Sequence, residues 1–111
     1  MTPTEYIKLA QKTANEETDN MNHYIIGLTC ETGEVAHLHK ADIIYGRPYD
    51  REEMVLEMSD LCWYLANMIR LLDSSWEELW EKNIEKLMKR YPDGFTKEAA
   101  QAKEAAKRGE G

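Results

Sequence analysis

Four carboxylates in two dyads, Glu31 with Glu34 and Glu57 with Asp60, stand out because of the helix faces they would occupy. Each dyad has i, i+3 spacing, so on a helix its two side chains sit roughly 60° apart on one face. Advancing about 100° per residue from Glu31, the residues Tyr24, Leu28, Glu34, Val35, Leu38, Ala41 and Tyr45 gather around it as an apolar stripe. From Glu57 the same construction gathers Met54, Asp60, Leu61, Tyr64, Met68, Leu71 and Leu72. Four acids therefore point where a core belongs. Burying a carboxylate is costly unless it is paired or bound to a metal, so the chemistry implied is cation binding.

A later segment carries the opposite charge. On the wheel drawn from Asn83, Trp76, Leu79, Trp80 and Leu87 form the apolar stripe, and Asn83, Lys86 and Arg90 lie on it. An amide and two cations on a face meant for packing suit a phosphate clamp beside a metal site. The plainer alternative is that Lys86 and Arg90 snorkel past the edge of a core.

These residues need helices to place them. The two dyads are centred beside Gly46, and Gly46-Arg47-Pro48 is a helix stop, so a helical hairpin folding there brings the dyads to a common level. Thr4 is the expected cap of a first helix running through Ile7, Leu9 and Ala10 to about Thr13. A polar connector, 15–20, leads to a second helix from Asn20–Asn22 to Tyr45. Its Gly27 and Gly33 lower helix stability, which predicts close approach by a backbone, a substrate or a ligand. Asp50 with Glu53 starts a third helix reaching Leu72, Ser75 with Glu78 a fourth from Trp76 to Arg90, and Thr96 a short polar tail helix. No strand alternation and no internal repeat occur, so the fold class is all-α, an antiparallel helical bundle of about four main helices over residues 1–96, with a polar tail over 97–111.

The bulk numbers agree with a soluble single domain of 111 residues, 32% charged and 42% hydrophobic. With 14 Lys and Arg against 21 Asp and Glu, the net charge of −7 opposes a general nucleic-acid or anionic-membrane binder. Cys30 and Cys62 lack metal or redox spacing and read as small buried apolar residues of a reduced, cytoplasmic protein. No apolar run is long enough to span a bilayer.

The motif Glu31-Thr32-Gly33-Glu34, a spacer, and Glu57-Met58-Ser59-Asp60 resemble the signature of the MazG-like all-α nucleoside triphosphate pyrophosphohydrolases. The flanks 27–36 and 60–65 are similar to that family's central helices, and 83–95 to its closing segment, so the resemblance covers residues 4 to 96. It implies hydrolysis between the α and β phosphates of a nucleoside or deoxynucleoside triphosphate, giving monophosphate and pyrophosphate in nucleotide-pool housekeeping. It implies Mg²⁺, with Mn²⁺ able to substitute, held by Glu31, Glu34, Glu57 and Asp60. Oxygen-only ligands suit that ion. Glu34 or Glu31 would serve as general base, and Asn83, Lys86 and Arg90 would hold phosphate or sugar. Cys30, His37, Leu56 and Ser59 stand where many relatives have acidic residues or glycine.

Two other readings stay open. Glu34-Val35-Ala36-His37 has the Glu-x-x-His spacing of di-iron carboxylate bundles, although the second dyad is Glu57-x-x-Asp60. A non-catalytic helical dimer would instead pair every inward acid with a cation across its interface. The second helix also has another apolar face, Ile26, Thr29, Cys30, Gly33, Ala36 and Ile44, which predicts a homodimer or tetramer.

Overall fold

Most helices of this chain begin where a side-chain oxygen meets a free N–H of the first turn. In the computed structural model, which describes residues 1–109, Asn20 Oδ1 accepts from His23 N at 2.9 Å, Asp50 Oδ1 from Glu53 N at 2.8 Å and Thr96 Oγ1 from Ala99 N at 3.1 Å. The resulting elements are α1 (Pro3–Lys12), a 3₁₀ turn (Glu16–Thr18), α2 (Met21–Tyr45), α3 (Arg51–Leu71), α4 (Trp76–Arg90) and α5 (Lys97–Lys107). Among the described residues there is no strand; an isolated bridge from Pro92 to Gly94 closes the turn after α4. None of these helices is long and apolar enough to cross a membrane.

The first cap is Thr2 and not Thr4. Thr2 Oγ1 accepts from Glu5 N at 3.1 Å and Glu5 Oε2 accepts from Thr2 N at 3.4 Å, a reciprocal box with Pro3 at the first helical position. Proline is favoured there because its missing N–H would have had no partner, and that preference draws the helix start two residues earlier.

The chain divides into two compact units, Met1–Trp76 and the segment from Glu77 onward. In the first, α2 and α3 pack as an antiparallel hairpin and α1 lies on α3. Gly46 terminates α2 in the left-handed region at φ 65°, where a side chain would be strained. Arg47 N then donates back to Ala41 O at 3.0 Å. Successive rungs run from His39 against Tyr49, through Glu31 between Glu57 and Asp60, to Gly27 against Tyr64 and Tyr24 against Trp63. That register is the one expected from a turn beside Gly46.

At the far end of the hairpin the fully buried residues Tyr24, Ala66, Asn67 and Ile69 form the core, with Ala10 of α1. Tyr24 meets Trp63 edge-on at a centroid distance of 5.7 Å. Its phenol donates to Asp19, which also accepts both terminal nitrogens of Arg70, the Nη1 bond being 3.2 Å. Arg70 Nη2 reaches Asn67 Oδ1 at 2.9 Å, and Asn67 Nδ2 donates to Trp63 O at 3.1 Å. The bidentate pair fastens the connector before α2 to the last turn of α3. Trp63 Nε1 donates to Thr13 Oγ1 at 2.7 Å, fastening α1 to the same helix.

Neither cysteine is buried: Cys30 and Cys62 are free and exposed. Cys30 is about 100° around α2 from Glu31, and Cys62 about 140° around α3 from Glu57, so both sit off the packed faces. A residue's apolar character could not override its angle on the helix.

In the second unit α4 is followed by a turn, with Gly94 at φ 94°, and then by α5. Lys82, Lys86, Lys89 and Arg90 of α4 face Ala99, Ala102 and Lys103 of α5 across an open groove of about 680 Å³.

Candidate metal centre

Glu31 of α2 and Glu57 and Asp60 of α3 each offer a carboxylate oxygen to one point, the three oxygens lying within 4.8 Å of one another. The hairpin register explains this. Glu31 stands opposite the interval between Glu57 and Asp60, which are one turn apart on one face of α3. Glu31 and Glu57 are half-buried and Asp60 is exposed, so the cluster opens to solvent on one side. Desolvation raises the pKa of Glu31, and the charges of Asp60, Glu57 and Glu34 and a hydrogen bond with Asp60 push it the same way. Among the described residues no Lys or Arg pairs with any of the three. Three mutually repelling carboxylates with oxygen donors only fit a hard divalent cation, whose charge would reverse that repulsion.

Glu34 is placed differently from its dyad partner. It lies one turn nearer the hairpin end, exposed and outside the three-oxygen group, although its charge is felt at Glu31. His37 is exposed and absent from the acidic group, so the Glu-x-x-His spacing does not assemble a mixed nitrogen and oxygen ligand set. Asn83, Lys86 and Arg90 belong to α4 in the second unit. Lys86 and Arg90 line its groove, Arg90 with its guanidinium 5.5 Å from the Tyr91 ring centroid; Asn83 is exposed and does not line it.

The floor of the acidic site was missed from sequence. A Cβ built on Gly27 would lie 2.1 Å from Tyr64 Cε1, so the Tyr64 ring rests on the backbone of α2 itself. Gly27 is one turn before Glu31 and Tyr64 one turn after Asp60, which sets the ring one rung below the acids. Desolvation first, then the nearby charges of Glu31, Cys30 and Asp60, raise the Tyr64 pKa. The signal was available: a glycine and a tyrosine, each four residues from an acid, on antiparallel partners. Tyr6 of α1 completes the surroundings, its ring 6.4 Å from that of Trp76 and its pKa raised by desolvation and by the charges of Cys62 and Asp60. Gly33, by contrast, has nothing within 4 Å of its built Cβ, so the close approach expected there is not made among the described residues.

A family model described as the MazG nucleotide pyrophosphohydrolase domain matches residues 16–95, a span holding α2, α3, α4 and both dyads. No curated protein and no solved structure matches the chain.

Proposed function

The chain belongs to the MazG nucleotide pyrophosphohydrolase domain family, and from that premise we propose that it hydrolyses nucleoside or deoxynucleoside triphosphates between the α and β phosphates. The products are the monophosphate and pyrophosphate, in a cytoplasmic role of nucleotide-pool housekeeping. The observation that carries the reading is the convergence of Glu31, Glu57 and Asp60 from two helices, with no cationic side chain to balance them among the described residues.

Glu31, Glu57 and Asp60 would hold Mg²⁺, or Mn²⁺ in its place, with Glu34 joining as an outer ligand. A bound divalent ion supplies charge neutralisation for a polyphosphate and favours ionisation of a water. The protein's own part is to hold three oxygens in place before substrate arrives, on helices locked by the Tyr64 and Gly27 contact. Glu34, outside the three-oxygen group and facing solvent, is suited to take the proton of the attacking water instead of holding the ion; Glu31 is the second choice. Asn83, Lys86 and Arg90 would hold phosphate or sugar.

The exposed outer face of α2 supports a homo-oligomer, dimer or tetramer. Ile26 and Ile44 are 64% and 60% exposed, and Thr29, Cys30, Gly33 and Ala36 share that exposure, which is more apolar surface than an isolated helix face usually leaves open. Sedimentation of the wild type above monomer mass, reduced to monomer by Ile26→Glu with Ile44→Glu, is the expected result. A wild type that sediments as monomer would remove the proposal.

The deciding experiment is a panel of nucleoside triphosphates with Mg²⁺, scored for pyrophosphate against single phosphate. Pyrophosphate release lost on chelation is expected. Phosphate release alone, or no turnover with any base, would refute the reaction.

A further inference from the structure

The second unit contains a charge reversal. The chain as a whole carries −7, yet five of its 14 Lys and Arg, namely Lys82, Lys86, Lys89, Arg90 and Lys103, line one groove with a single acid, Glu85. Glu85 does little to balance them: its only ion pair among the described residues is with Lys89, at 3.9 Å and with both side chains largely exposed. On α4 the cations recur at 82, 86, 89 and 90, the spacing that keeps them along one helical face. On α5 the facing positions are Ala99 and Ala102, small enough to leave the groove open, with Lys103 added one turn beyond Ala99. Like charges so gathered repel one another, which costs stability unless an anion is bound there.

We propose that the groove between α4 and α5 binds a polyphosphate anion, and that Lys103, together with Lys82 and Lys89, is a phosphate-binding residue. Lys103 lies beyond the family match, which ends at residue 95, so its part in the groove is read from this chain's own α5. Lysines act here as point charges on flexible stems, able to follow an extended chain of phosphates, while Arg90, set against the Tyr91 ring, supplies the one planar fork. The inference rests on the proposed function only for the identity of the anion as a nucleotide's phosphates; the groove itself stands on its charge and shape.

The test uses the full chain and inorganic tripolyphosphate, titrated calorimetrically without divalent metal so that the acidic site contributes nothing. Lys103→Glu is compared with Lys97→Glu, the same charge change on the same helix at a position that does not line the groove. The expected result is saturable binding by the wild type, weakened by about tenfold or more in Lys103→Glu and far less in Lys97→Glu. Helix content by circular dichroism establishes that α5 survives, and Lys89→Gln on α4 serves as a second groove variant should it not. Absence of binding by the wild type, or equal losses in the groove and control variants, overturns the proposal. Tripolyphosphate binding of this pattern in a chain that releases no pyrophosphate from any triphosphate would leave the groove standing and sink the enzymatic reading. Turnover with an unchanged KM in Lys103→Glu and no tripolyphosphate binding would do the reverse.

Discussion

Gly27 and Gly33 lie six residues apart on α2, which turns them about 120° from each other. At Gly27 the Tyr64 ring occupies the space a side chain would need; at Gly33 that space is empty. The same split divides the larger residues of the helix. Tyr24 is fully buried on the inner face, whereas Ile26 and Ile44 are 64% and 60% exposed on the outer one. Two apolar faces of comparable composition thus meet opposite fates, because α3 can cover only one of them. The difference teaches that an apolar stripe announces a need for burial without naming what supplies it. On the inner face the supplier is the same chain, and there the acids converge.

Substitutions on the two faces should therefore separate cleanly. The largest effect belongs to an inner acid: Glu57→Gln should lower metal-dependent pyrophosphate release by about two orders of magnitude or more, with the helical circular dichroism spectrum retained. Activity near the wild-type level would break the metal assignment. Next comes Arg70→Ala, which leaves Asp19 and the Asn67 amide without their guanidinium and should cost about 2–4 kcal/mol in urea unfolding, toward the lower figure because the pair is partly exposed.

The same variant carries a pH signature. The Arg70 hydrogen bonds, then that of Tyr24, hold the Asp19 pKa below the usual carboxylate value. A depressed folded-state pKa contributes stability that is complete above the unfolded value and is lost as pH falls through the folded one. Wild-type stability should fall more steeply than that of Arg70→Ala below the ordinary carboxylate range, and parallel acid limbs would contradict the pairing.

The two glycines give the most direct comparison. Gly27→Ala forces the Tyr64 ring to move and should destabilise by about 1–3 kcal/mol. Gly33→Ala meets nothing in the monomer and should raise thermal stability by about 0.5–1 kcal/mol through helix propensity alone. A loss at Gly33 of the size seen at Gly27 would mean that the outer face is as closely packed as the inner one, by a second copy of the chain.

Much of this was legible before the fold. The hairpin register followed from the placement of the dyads about Gly46, and the caps Asp50 and Thr96 from residue types that offer an oxygen to a free N–H. The first cap was misplaced because Thr2 and Thr4 both have that chemistry, and only the preference of Pro3 for the first helical position separates them. Glu34 shares an apolar-stripe angle with Glu31 yet stays exposed, since the hairpin brings its own pair of acids opposite Glu31 alone. Angle on a helix is local, whereas convergence depends on the partner helix. The Arg70 and Asp19 pair was invisible for the same reason: it joins residues 51 positions apart in sequence. The role of Gly27 was half-read, as a close approach without its partner.

One property of the hairpin bears on how the site comes into being. Its three acids are spread over only Glu31 to Asp60 and are joined by one tight reversal at Gly46, so the conformational search that unites them is short. On a chain emerging from the ribosome, every carboxylate of the cluster has been made before the first residue of α4. Their meeting needs only the reversal at Gly46 and draws on no residue of the segment bearing the cationic groove. The acidic cluster is thus encoded by the hairpin alone, and its assembly does not wait on the cationic groove.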